Sequence, residues 1–280
     1  LFNMLRFIPV SIVDDRYKWM ANFWSYAQKK IYGQEAFNNS ILSVVKQNTT
    51  KDKIYNDIDW KLHGLPYHMC PPIWKYVKSK NDNCVVINVF SAIKPIIKNF
   101  PDEDIIVLSD MDVVMLKKYD NVLPGDDNVI CYDGYEDWHM FIANSSKKNY
   151  YKIQPYLHHN DEGYMNGGFI PIFIKNKTLK KIIDDVINIA EKIIESDCDP
   201  LWKWWSCMTA FSIVCHNHKI KMISQDNTYI PSHNDYNIQN HYFVHYSVDK
   251  VFNKATFPNH DISSYPHTNF YNLVRDWIQN

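Results

Sequence analysis

Through the first half of the chain, short apolar runs alternate with segments whose apolar residues recur at helical spacing. Phe7, Ile8, Val10, Ile12 and Val13 predict a first strand. Residues 16 to 32 then place Trp19, Phe23, Tyr26 and Ala27 on one helical face, with Asp14 or Asp15 positioned as N-cap. Residues 47 to 60 are polar and read as surface, and "PPIWKYVKS" as a short helix opened by proline. "CVVINVF" reads as a second strand, followed by a helix in "SAIKPIIKNF" that starts at Ser91. Ile105 to Ser109 form a third apolar run, the clearest of the buried strands.

Beyond it, "NVICYDG" and "HMFIAN" predict short strands, and "GYMNGGFIPIFI" a strand pair or one extended run. Between 178 and 196, Ile182, Ile183, Val186, Ile187, Ala190, Ile193 and Ile194 form one apolar stripe among Lys, Asp and Glu, which predicts an amphipathic helix. "PLWKWWSCMTAFSIVCHN" predicts a more buried helix with Pro200 in its first turn, "IKMIS" and "HYFVHYS" late strands, and "YNLVRDWIQ" a terminal helix. Strand–helix alternation implies an α/β fold with a mostly parallel central sheet flanked by helices and a smaller, mixed second half. With no linker, repeat or low-complexity block, residues 1–280 are expected to form a single domain, divided near 115 and 116.

The third strand ends in chemistry. In "DEDIIVLSDMDVVML", Asp110 and Asp112 stand two apart before apolar residues resume. Extended backbone would send both side chains to one face. In an open α/β sheet, ligands bind beyond the carboxyl ends of the strands, and the pair lies at that end. Two carboxylates on one side call for a cation, unless one holds a proton. A hard divalent ion with oxygen ligands, Mg²⁺ or Mn²⁺, answers that need.

Composition narrows the partners. A formal net charge of −1 removes the electrostatic case for nucleic acid or an anionic membrane. Only 7 Gly are present, and neither GxGxxG nor GxxxxGK occurs. The 9 Trp, 19 Tyr and 14 Phe suit a carbohydrate or nucleotide site, but equally an aromatic core. Six cysteines, Cys70, Cys84, Cys131, Cys198, Cys207 and Cys215, form no CxxC pair and read as buried free thiols. Sequons at Asn38, Asn48, Asn144 and Asn176 are expected by chance in so Asn-rich a chain. No apolar run reaches membrane-spanning length, so a cytoplasmic, reducing compartment is the expectation.

"IIVLSDMDVVM" resembles the DxD motif of GT-A nucleotide-sugar glycosyltransferases, in particular the glycogenin-like and lipopolysaccharide-galactosyltransferase-like branch. Three further segments resemble that branch in the same order. "SAIKPII" puts Lys94 where the branch has a basic residue touching the donor. "YMNGGFI" is similar to its N-x-G-hydrophobic strand through Asn166 and Gly168, and "FVHYSVDKVF" to its closing H-F-x-G-x-x-K-P-W segment through His245 and Lys250. The likeness runs in order from about residue 5 to 255. The closing segment departs from the family at Ser247 and Phe252, and the helix at 200 to 216 lacks the Asp-Gln pair of many retaining members.

The resemblance implies a single GT-A, Rossmann-like domain with a nucleotide-binding half, 1–115, and an acceptor-side half, 116–280. It implies transfer of a hexosyl or pentosyl unit from a nucleotide diphosphate sugar, UDP-sugar before GDP-sugar, to a glycan or other hydroxyl. Asp110, Asp112 and His245 would ligate the metal, an imidazole ligand favouring Mn²⁺ over Mg²⁺. Asp110, Lys94, Asn166, Gly168 and Lys250 would face the donor, and Asp14 or Asp15 its base or ribose. The branch retains anomeric configuration; an inverting enzyme needs a carboxylate base, for which Asp133, Asp137, Asp161, Glu162 and Asp199 are candidates.

Each position also has a structural reading. Lys94 reads as a solvated helix residue, Asn166 to Gly168 as a turn, and His245 as a hydrogen-bonded strand residue with His241 the alternative ligand. His158, His159, Asp161 and Glu162 read as a solvated loop that could also contribute to an acceptor pocket. Two other functions compete. A haloacid-dehalogenase-type phosphatase or phosphotransferase also sets DxD after an apolar strand, but there it opens the domain and its second acidic motif lies on a distant strand, unlike Gly125 to Asp127 here. A non-catalytic carbohydrate-binding module would need no lysine facing a leaving group.

Overall fold

The first apolar run forms strand β1 (Leu5–Ile12) of a computed structural model, which describes residues 4–12, 15–45, 62–70, 85–132, 169–197, 206–225, 228–229, 241–246 and 268–280. Helix α1 (Asp15–Tyr32) follows, and Gly33 ends it at a positive φ of 58°, a conformation that costs glycine little. A 3-10 turn (Gly33–Glu35), α2 (Ala36–Asn39), β2 (Leu42–Val45) and β3 (Tyr67–Cys70) come next. Then come α3 (Val85–Ile97), β4 (Ile105–Asp110), β5 (Val113–Met115) and β6 (Asn128–Tyr132). The later elements are β7 (Phe169–Lys175), α4 (Asn176–Glu195), α5 (Ser206–Asn217), β8 (Lys221–Gln225), β9 (Thr228–Tyr229), β10 (Phe243–His245) and α6 (Asn269–Gln279).

Among the described residues, seven strands make the main sheet, in the order β3-β2-β1-β4-β7-β6-β8. From β3 to β4 neighbours are parallel, β7 runs antiparallel to both β4 and β6, and β6 is parallel to β8. The α/β class with a mostly parallel central sheet agrees with the strand–helix alternation of the sequence. A second sheet, β5-β10-β9, stands apart. Side-chain alternation separates two layers. Phe7, Val107 and Phe173 are register partners on one face, where Tyr32 of α1 lies 5.4 Å from Phe7, and Tyr119 and Phe243 lie 4.5 and 5.9 Å from Phe173. The opposite face carries Ser43, whose hydroxyl donates to the Ala92 carbonyl of α3 at 3.1 Å.

Two expectations change. Val85 to Phe90 of "CVVINVF" form the first half of helix α3 rather than a strand, and Ser91 lies inside that helix. A continuous apolar run carries no period, so packing decides. Val89, Ile93, Ile96 and Ile97 are buried at helical spacing, and Phe90 stacks on Phe211 of α5 at 5.3 Å. The second change adds β2 and β3, which the sequence patterning did not single out; all four residues of β2 are buried. The stripe on α4 is buried as expected at Ile182, Ile183, Val186, Ala190 and Ile193, joined by Leu179 and Ile189 in place of the half-buried Ile187 and Ile194.

At the start of β4 the sheet is pinned by charge and amide bonds. Arg6 Nε donates to Asp104 Oδ2 at 2.7 Å, and Asn176 Nδ2 donates to the carbonyls of Ile97, Phe100 and Pro101 at 2.9 to 3.1 Å. Asn176 is fully buried, so this sequon offers no accessible glycan acceptor in the folded chain. Cys70, Cys131, Cys207 and Cys215 are buried free thiols; Cys84 and Cys198 lie outside the described residues. Burial raises the pKa of Cys215 far above the ordinary thiol value, which keeps it inert.

Candidate metal centre

β4 lies between β1 and β7 in the middle of the main sheet, and ends at Asp110. The chain then turns through Met111 and Asp112 and enters β5, a strand of the other sheet. The DxD segment is therefore a turn between two sheets and not extended backbone. Met111 is 1% exposed and anchors that turn in the core, between the half-buried Asp110 and the buried Asp112. The carboxylates converge because the turn folds them together, a correction to the same-face strand argument.

The third donor arrives through pairing of the small sheet. β10 runs antiparallel to β5 with His245 opposite Val113, the residue after Asp112. The Tyr246 N–H donates to the Asp112 carbonyl at 3.0 Å, which extends this ladder into the turn. His245 Nε2 lies 3.4 Å from Asp112 Oδ1. One ligand atom each of Asp110, Asp112 and His245 falls within 4.8 Å of the other two. Asp112 is buried, whereas Asp110 and His245 are half-buried, so the cluster has a solvent-facing side.

Two carboxylate oxygens and one imidazole nitrogen gathered at that scale fit a divalent ion of Mg²⁺ or Mn²⁺ type, with positions left for a ligand's oxygens. His241 is not part of this cluster. It precedes Tyr242, whose carbonyl accepts from Leu116 N at 2.8 Å at the other end of the small sheet. His241 lies ahead of β10 and outside the three donors that meet at the turn.

Lys94 is also drawn elsewhere. It sits in the last turn of α3 and pairs with Asp184 on α4. Asp15 opens α1 immediately after β1, and β1 runs parallel to β4 with Val10 opposite Asp110, so this chain segment leaves the sheet at the same edge as the carboxylates. Asp14, Asp133, Asp137, Asp161, Glu162, Asn166, Gly168, Asp199 and Lys250 lie outside the described residues.

One residue that sequence reasoning passed over sits against the cluster. Tyr246 is 1% exposed, and its hydroxyl donates to the Met111 carbonyl at 3.4 Å. Burial, and then the charge of Asp112, hold its phenol well above the ordinary tyrosine pKa, so it stays protonated and donates. The available signal was an aromatic residue directly after the candidate ligand His245.

Known proteins bear on this arrangement in two ways. Among solved structures, that of the WbbM bifunctional glycosyltransferase matches all of the chain at 12% identity with a TM-score of 0.52; the chain spans 50% of that protein's length. A galactosyltransferase, LgtC, solved with donor and acceptor sugar analogues, matches 96% of the chain and 95% of its own length at 12% identity and a TM-score of 0.48. Mouse xyloside xylosyltransferase 1 matches 88% of the chain and 98% of its own length at 9% identity and a TM-score of 0.43. At such identities the likeness speaks to fold alone, and the WbbM match carries it: the fold is that of GT-A-type glycosyltransferases. No curated protein matches in sequence. The model of the Hydroxyproline O-arabinosyltransferase family N-terminal domain matches residues 56–224, more than half of the chain and including Asp110 and Asp112, and the chain belongs to that family.

Proposed function

We propose that the protein is a metal-dependent glycosyltransferase that moves a sugar from a nucleotide diphosphate donor to a hydroxyl acceptor. The observation that carries this reading is the meeting of Asp110, Asp112 and His245 at the carboxyl end of the central strand. Family membership supports arabinose as the transferred sugar and a hydroxyproline hydroxyl as the acceptor. A UDP-sugar is the favoured donor and a GDP-sugar the next.

The chemistry asks for charge stabilisation, because negative charge builds on the departing diphosphate as the glycosidic bond to it breaks. A divalent cation supplies that stabilisation when bound. Asp112 and Asp110 would hold it through carboxylate oxygens, and His245 as a neutral imidazole. Lys250, on sequence grounds alone, would add a positive charge for the diphosphate. Asp14 or Asp15, in the segment that follows β1, would face ribose or base.

The test is nucleotide release from a panel of UDP-, GDP- and CMP-sugars with Mn²⁺, with EDTA, and with or without a hydroxyproline-containing peptide. The expected result is Mn²⁺-dependent release, greatest with UDP-arabinose and the peptide, and abolished by EDTA. Release of no nucleotide from any donor under any of these conditions would sink the reading. The anomeric signal of the product reports whether configuration is retained or inverted.

A further inference from the structure

We propose that Tyr246 is a positioning residue of the metal centre, fixing the Asp110–Asp112 turn through its backbone and its hydroxyl on an aromatic platform built partly by the C-terminal helix α6. This rests on the metal-dependent reading above and adds a residue which that reading does not use.

The geometry is specific. Tyr246 makes a bond to each residue that turns the chain between the sheets: its N–H to the Asp112 carbonyl at 3.0 Å, and its O–H to the Met111 carbonyl at 3.4 Å. The residue before it in the chain is His245, so one residue ties the imidazole donor to the carboxylate turn. The ring lies 6.1 Å from Trp19 and 6.2 Å from Phe23, both on α1, and 5.7 Å from Phe270 on α6. Phe23 in turn meets Phe270 at 6.1 Å and Trp277 at 5.1 Å, which closes the platform. The start of α6 is set by Thr268, whose hydroxyl accepts from Tyr271 N at 3.4 Å.

Such a brace has a physical purpose. Without a cation, two carboxylates repel and drive the turn open. A donor set that must present its atoms within about half an ångström of a productive geometry needs a backbone that resists this. Bonds to both turn carbonyls, on a buried aromatic base, supply the resistance. Phenylalanine at 246 would keep the ring packing and lose only the hydroxyl bond.

The experiment is a Mn²⁺ titration followed by the paramagnetic resonance signal of the free ion, alone and with UDP, so that no turnover is required. Tyr246→Phe is expected to bind Mn²⁺ about three- to ten-fold more weakly than wild type, the range set by one buried hydrogen bond. Tyr119→Phe is the control, because it also deletes a partly buried tyrosine hydroxyl, one that bonds the Val122 carbonyl at 3.0 Å and Gln225 at 3.2 Å. Its Mn²⁺ affinity should equal wild type. Equal affinity of Tyr246→Phe and wild type overturns the proposal while leaving the metal centre standing. Equal weakening in both variants also overturns it, since the effect would then be general softening. If wild type itself shows no Mn²⁺ binding with or without UDP, the metal reading fails and takes this proposal with it.

Discussion

At the amino end of β4, Asp104 is buried and accepts from Arg6 Nε at 2.7 Å and from Met4 N at 3.4 Å. Arg6 also donates to the Asn38 carbonyl and lies 4.9 Å from the centre of the Phe100 ring. Around it, Lys175 reaches Glu103 and Asp126 at 3.0 and 2.9 Å, Lys177 reaches the same two carboxylates, and Lys180 reaches Asp102 at 2.7 Å. At the carboxyl end of the same strand, Asp110 and Asp112 are brought within 4.8 Å of each other and of His245. One end matches its acids with the chain's own cations. The other gathers acids and an imidazole, an arrangement that concentrates donors of the kind a metal ion takes. Charge at the first end holds strands together, and charge at the second is held in place by them.

That contrast can be broken first at Asp112. Asp112→Asn is expected to lower transfer by about a hundred- to a thousand-fold, the range for losing one group that stabilises developing charge. The metal-free variant should melt no lower than wild type, because the substitution relieves like-charge repulsion at the turn. Activity near wild type with Mn²⁺ present would show that the carboxyl end is structural like the amino end. Asp104→Ala is the mirror experiment. It strands a half-buried guanidinium and should cost about 3 kcal/mol in a denaturant titration, with Mn²⁺-dependent turnover per folded molecule unchanged. Lost turnover with stability intact would reverse the assignment of the two ends.

The smallest effect separates exposed charge from buried charge within the amino end. Hydrogen bonds from Lys175 hold the Glu103 carboxyl below its ordinary value, and those from Lys177, then Lys175, do the same for Asp126. A depressed folded-state pKa means that the unfolded chain binds more protons, so stability falls as pH falls. The contribution is in place above the ordinary values of 4.5 and 3.8, and is lost as pH drops through the lower folded-state values. The double variant Lys175→Met, Lys177→Met should flatten that acid limb of a melting-temperature profile only slightly, since solvent screens these groups. A loss as large as that of Asp104→Ala would remove the distinction between exposed and buried pairs.

Much of this was legible in the chain. β1, α1, β4 and α4 follow their apolar spacing because each buries one face or one whole run, and period then reports structure directly. The GT-A resemblance, drawn from the order of the DxD, asparagine-glycine and histidine-lysine segments, agrees with the fold. α3 was misread because Val85 to Phe90 is apolar at every position but one, and β-branched residues suit a strand as well as a packed helix. Lys94 fell on a helix, as its spacing suggested, and pairs there with Asp184 across the helix pair.

The sequence by itself determined which groups were available: two aspartates after a buried strand, histidines at 241 and 245, and apolar runs long enough to bury them. Tertiary structure decided which of them meet. His245 rather than His241 joins the carboxylates because β10 pairs with β5 in one register, and a shift along the ladder would carry a different residue to the turn. The same pairing set Tyr246 beneath Met111 and Asp112, and packing of α1 and α6 gave it a base. Local period reports a residue's own burial; register and packing between distant segments are long-range facts, and the candidate metal centre is made of them.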